Sequence, residues 1–451
     1  MVVKSIVPLQ RTVGRRVFFV LLGMVCFGIL GYLLVATTLQ IVIPPPAHHL
    51  TLVQDVPVPS VLPNKFLPFV KNAPQKVDLL APGVAVRFDH FDFQTLDPTT
   101  GLLFIAHTGP VPDKFAVVNP VFSASKDSQV DGHVLVFDTR QNKLVGRVEI
   151  PQIAGIVSAP DLGRVYAADA NDNIVYVIDE RTLQTTKIAL GDNEGPDAME
   201  YDQPDHKIFI SDPGVPAPDN IDLKNQNIVA IDTITNAVTK INIGRLPRLP
   251  GESAALTKFG YDVGHNHYDP VSHRLFATIQ QLTNQAVGTP PDPPVGTGEL
   301  IAIDPVTLTV VERLQLPKTC GIPHGMNIDA EQRIAFVVCT QVNPAMGMVQ
   351  NLIRVNVQTM SVLPDPLLLL ASKPDIAIID HTMHVLFVGC VGGVSAFDIR
   401  GGRIRKLGDY VLGKNTHTLA VDERTQLVYM PLADVGGRPI IRIAKYNVNG
   451  V

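Results

Sequence analysis

Imidazoles and carboxylates recur at one position of a repeating pattern. Five residues ahead of a recurring aspartate stand Asp92, Ile156, Asp197, Gly264, His324, Asp375 and His417, and His90 and His265 lie close to the same level. Histidine and carboxylate are ligands for divalent zinc, iron, manganese or copper. Brought onto one axis, His90, His265, His324 and His417 form a candidate metal set acting as a Lewis acid. Asp92, Asp197 and Asp375 would stand beside them around a small ligand. His267, two residues after His265 in Gly264-His265-Asn266-His267, can share one side of a strand with it. The competing reading is a wet channel whose polar side chains bind water and one another. No HExxH, GxSxG, P-loop or GxGxxG motif is present, so no residue is singled out as a nucleophile or nucleotide ligand.

The elements that must position these residues follow from two interleaved turns. In the first, an apolar segment ends in Asp, turns, and is followed by a second apolar segment. It occurs at Asp97, Asp161, Asp202, Asp269, Asp329, Asp380 and Asp422. In the second, an alternating strand ends at Asp138, Asp179, Asp232, Asp304, Asn356, Asp398 or Asn447, again with a turn. A carboxylate at the first place of such a turn accepts backbone N–H groups two residues on. Alternation and β-branched content mark the flanks as strands. Each unit reads as four antiparallel strands, which we label A to D outward from the axis. Seven units make an all-β, seven-bladed propeller. The chain stops just after the seventh C–D turn, so blade 7 lacks an outer strand. The expectation is that Lys76–Ala81 supplies it and closes the ring, which leaves no sheet edge exposed at the seam.

Insertions choose a face. Blades 2 and 6 need only 18 residues from the first aspartate to the second, whereas blade 1 uses 41. The excess lies in B–C loops and, between blades 3 and 4, in one D–A crossing. These connections emerge on the same face, above blades 1, 3 and 4. Long loops on a rigid scaffold are where binding resides.

At the N-terminus, Lys4, Arg11, Arg15 and Arg16 precede an apolar run, 17–43. About 20 apolar residues span a bilayer, and the basic flank keeps the N-terminus (1–16) cytoplasmic. This predicts a single-pass, uncleaved anchor. A proline-rich linker follows over 44–75, and an extracytoplasmic propeller over 76–451. Net charge of −5 excludes an electrostatic footprint for nucleic acid. Four cysteines are too few for a disulfide scaffold. Cys320 and Cys339 fall near one end of a single hairpin, so a disulfide is feasible; a Cys320/His324 metal pair is the alternative.

The segments NIVYVIDERTLQTTKIALG (173–191) and THTLAVDERTQLVYMPL (416–432) resemble the YVTN/YncE-like bacterial propellers, akin to NHL and lactonase-type propellers. The resemblance covers about 84–447. It implies an extracytoplasmic fold whose members look like binding scaffolds without an assigned reaction. The leading expectation is therefore a membrane-tethered scaffold that binds a small molecule or a cell-envelope protein through its loop-rich face. The second expectation is a metal-dependent enzyme working at the channel mouth. The third is a purely structural envelope module.

Overall fold

The computed structural model describes residues 50–58, 91–108, 132–170, 172–191, 195–212, 227–243, 261–281, 298–343, 347–371, 373–412, 417–436 and 438–447. Seven antiparallel sheets follow one another. Blade 1 is built from Phe91–Asp97, Leu102–His107, His133–Asp138 and Lys143–Glu149. Blade 2 is Ile153–Ala159, Arg164–Asp169, Ile174–Asp179 and Thr185–Ala189. Blade 3 is Met199–Asp202, Lys207–Asp212, Asn227–Asp232 and Val238–Ile241. Blade 4 is Tyr261–Asp269, Arg274–Gln281, Glu299–Asp304 and Thr309–Gln315. Blade 5 is Ile322–Asp329, Ile334–Asn343, Gly347–Asn356 and Ser361–Val362. Blade 6 is Pro374–Asp380, Val385–Cys390, Gly393–Asp398 and Arg405–Val411. Blade 7 takes Ala420–Asp422, Leu427–Leu432 and Ile440–Tyr446 from the C-terminal end. Each strand A touches those before and after it, and the seventh touches the first.

The turns behave as their chemistry demands. Oδ1 of Asp97, Asp179, Asp232, Asp304 and Asp398, and of Asn356, accepts the backbone N–H two residues on. Blade 2 differs. Its strand A ends at Ala159, and Asp161 falls in a 3-10 turn, Pro160–Leu162. Ile156 is therefore not the counterpart of Asp92; Ala154 is.

The core lies between blades, not within one sheet. Seven apolar clusters alternate with the blades. One joins blades 1 and 2 through Phe104, Val136, Ile156 and Ala167, and another joins blades 7 and 1 through Phe91, Phe137, Tyr429 and Ile443. A sheet buried on both faces explains the near-continuous apolar runs of strands B and C.

Ring closure is corrected. The outer strand of blade 7 is Leu50–Pro57, antiparallel to Ile440–Tyr446. The proposed donor, Lys76–Ala81, lies outside the described residues. Part of the stretch expected to be linker is therefore a strand. Asp55 accepts two hydrogen bonds from the Arg442 guanidinium at 2.8 and 2.7 Å, a charge-assisted clamp across the seam. Val56 and Val58 pack into the cluster between blades 7 and 1.

Among the described residues, no helix is long and apolar enough to cross a membrane. The segment 17–43 lies outside them, as do the expected long loops of blades 1, 3 and 4.

Cys320 and Cys339 form a disulfide across a separation of 19 residues. Both are buried. It ties the turn before strand A of blade 5 to strand B. Loop-closure entropy over that span stabilises by about 3 kcal/mol. Replacing both cysteines with alanine should lower the urea midpoint accordingly; an unchanged midpoint would remove the bond from the stability account. Cys390, at the matching place one blade on, is a free thiol that burial pushes up to about 12.

Candidate functional site: a histidine and aspartate cluster at the channel mouth

Strand A carries an irregularity in five blades. Pairing with strand B slips between Phe91 and Gln94, Ile153 and Ile156, Val263 and Asn266, Pro323 and Met326, and Pro374 and Ala377. A bulge re-aims the side chains within it. The bulged pairs are Asp92-Phe93, Ala154-Gly155, Gly264-His265, His324-Gly325 and Asp375-Ile376. Four of the candidate residues thus point where they do because a ladder is interrupted, not because a strand alternates. His417 comes just ahead of the short strand A of blade 7, at the same level.

Close approach of neighbouring blades makes the cluster compact. A Cβ on Gly325 would lie 1.7 Å from the carbonyl oxygen of Asp375, and one on Gly264 would lie 2.9 Å from that of His324. Only glycine lets one blade's strand A slide against the next here. Hydroxyls from the preceding blade hold the bulges. Ser211 Oγ donates to the Gly264 carbonyl at 2.6 Å, and Thr278 Oγ1 donates to the His324 carbonyl at 2.6 Å. Asn266 donates to Ser211 Oγ at 2.8 Å. Sequence assigns no partner to Ser211 and none to Thr278. The available signal was a polar residue at Ser211, Thr278 and Gln280 within otherwise apolar strands.

Asp375 is the hub. Its Oδ1 lies 3.0 Å from His324 Nε2 and 3.4 Å from His265 Nε2, and its Oδ2 contacts His417 Nε2. His417 Nε2 is also 3.7 Å from Asp92 Oδ1. Among the described residues, His265, His324 and Asp375 form one three-donor group, and Asp92, Asp375 and His417 form another. Within each, the ligating atoms lie within 4.8 Å of one another. The His265 and His324 rings are 4.8 Å apart, and Phe93 of blade 1 reaches His265 with ring centroids 5.0 Å apart. Gln280 Nε2 donates to His324 Nδ1 at 2.6 Å.

Charge follows geometry. Burial alone would raise the Asp375 carboxyl, but the charges of His417 and His324 outweigh it and hold the group well below the ordinary range. Burial pushes Asp92 up to about 6, against the pull of His417 and with the repulsion of Asp375. Burial lowers His265. It also opposes charge on His417, yet Asp375 and Asp92 raise that imidazole.

Not every expected residue joins. His267 pairs instead with Glu200 of blade 3, Nδ1 to Oε2 at 3.1 Å, so it does not work with His265. His265 lies within the bulge and His267 beyond it, so the alternation that would have put both on one side is broken. Asp197 belongs to neither three-donor group; its backbone packs against Gly155. His90 lies outside the described residues. Cys320 is bonded to Cys339, which leaves no Cys320/His324 metal pair.

Comparison with solved structures shows the fold. The chain is similar to Kuenenia stuttgartiensis hydrazine synthase with a TM-score of 0.55 at 15% sequence identity, over 81% of this chain and 97% of that one. No protein-family model and no curated protein matches.

Proposed function

We propose that this chain is a membrane-tethered, extracytoplasmic propeller that binds a divalent transition-metal ion at its channel mouth, and a small molecule through that ion. One observation carries the reading. Asp375 Oδ1 is buried, and two imidazole nitrogens from different blades stand 3.0 and 3.4 Å from it, so three donor atoms converge within 4.8 Å of one another. Such separations match the edges of a coordination polyhedron. For metal–ligand bonds of about 2.0–2.1 Å, such edges are about 2.9 Å in an octahedron and about 3.3 Å in a tetrahedron.

The cluster lies where the inner strands begin, which is the end of each blade from which the B–C and D–A connections leave. The resemblance of 173–191 and 416–432 to YVTN/YncE-like propellers supports an extracytoplasmic binding role, and the basic-then-apolar N-terminus supports the tether. A metal with an exchangeable position also polarises a bound oxygen, which is the enzymatic reading of the same site.

The test is metal content. Full-length protein in detergent, stripped with chelator and dialysed against zinc or cobalt, should retain at least one equivalent per chain. Asp375→Asn should abolish retention with the fold intact by circular dichroism. Substoichiometric metal that is unaffected by Asp375→Asn would overturn the reading.

Gln280 should tune affinity. With its amide turned half over, Oε1 accepts from His324 Nδ1–H and leaves Nε2 as a lone-pair donor, the usual outer partner of a metal-bound imidazole. Gln280→Leu is expected to weaken cobalt binding about 10- to 100-fold, and Gln280→Glu to retain it. Equal affinities by competition titration would count against this role.

A further inference from the structure

Resting on the metal reading, we infer that the channel mouth holds two divalent ions bridged by the Asp375 carboxylate. The five donors do not fall into one group. They form two groups of three that share only Asp375. Ligands of a single ion with bonds of about 2.0–2.2 Å can be no more than about 4.4 Å apart, even when trans. Five donors on one ion would therefore make one group. The split also follows the two carboxylate oxygens. Oδ1 faces His265 and His324 from blades 4 and 5, whereas Oδ2 faces His417 from blade 7. Asp92 of blade 1 then completes the second set, beyond His417. A carboxylate that presents one oxygen to each side is the bridge of a two-metal site, whose ions sit about 3.5–4 Å apart.

Burial supports the same division. Asp375 and His265 are buried, while Asp92, His324 and His417 are partly exposed. The bridge is therefore the inner member, and each ion would have protein donors on one side and the channel mouth on the other. Three donors per ion leave at least one position open on each. Two dications against two carboxylates leave a net charge of +2, so neighbouring open positions suit an anionic ligand that spans both.

The test counts ions and asks which side chain holds which. Chelator-stripped full-length protein in detergent is titrated with cobalt, and bound metal is measured after gel filtration. The wild type should bind two equivalents. His324→Ala and His417→Ala should each bind one, and Asp375→Asn fewer than either. Manganese loading should give an exchange-coupled resonance spectrum in the wild type and an uncoupled one in His417→Ala. A single wild-type equivalent that both histidine variants abolish would overturn the pair while leaving a one-metal site standing. No retained metal would remove the one-metal reading as well. Thermal melting and disulfide content identify any variant that has misfolded, and for such a variant Gln substitutions at the same histidines replace alanine in the count.

Discussion

A chain that begins at residue 59 is expected to lose on the order of 5 kcal/mol of stability and to aggregate during purification, while one that begins at residue 50 folds. The first truncation removes Leu50–Pro57, a full strand of blade 7. It also takes the bidentate Asp55 carboxylate from Arg442, which keeps its hydrogen bond to the Leu412 carbonyl. Because both side chains are partly exposed and removal of the strand hydrates Arg442, loss of the pair by itself costs about 1 kcal/mol. Strand Ile440–Tyr446 then becomes an edge with free donors and acceptors, a template for pairing with other chains. Val56 and Val58 also leave the apolar cluster between blades 7 and 1, which opens it to water. Urea denaturation of the two truncations, with light scattering, checks the difference. Equal midpoints would mean that the ring is not sealed by this strand. Asp55→Ala, which leaves the strand but removes the clamp, should fall between them.

The blades were legible because their signal is local. An Asp turn such as that at Asp232 binds backbone N–H groups two and three residues away, so a few residues suffice to announce it. The closing strand sends no such signal. Its partner lies at the other end of the chain, and much of its surface is exposed, so LTLVQDVP carries only partial alternation. A proline at its end and prolines beyond made it read as spacer. The channel-mouth residues lay between these cases. Asp92, His324, Asp375 and His417 share one distance from their turn, and the structure brings all four together. His265 stands one residue off that count because Gly264 occupies the counted place and the bulge admits both. His267 shows the cost of reasoning by alternation across a bulge. The roles of Ser211, Thr278 and Gln280 were not legible because a neighbouring blade sets them, and no spacing within a blade encodes that contact.

Gly325 is where fold and site are the same problem, and Gly325→Ala is expected to cost about 4 kcal/mol or more together with the metal affinity of the cluster. The added Cβ would sit 1.7 Å from the Asp375 carbonyl oxygen and 2.8 Å from its carbonyl carbon. Both are backbone atoms, so no rotamer change relieves the overlap. Blades 5 and 6 must part, or the bulge must rearrange. Either movement displaces Asp375 from His324 and His265. Gly163→Ala is a useful contrast. That glycine has a φ of 59° and nothing within 4 Å of an added Cβ, so the variant pays only for its backbone conformation. It should lose about 1 kcal/mol and keep full metal binding. Paired measurements of urea midpoint and cobalt retention separate the outcomes. If Gly325→Ala were destabilised yet still bound cobalt with wild-type affinity, the cluster would tolerate blade separation and the bulge could not be what aligns its donors. If it kept both stability and binding, the close approach of the two inner strands would itself be refuted.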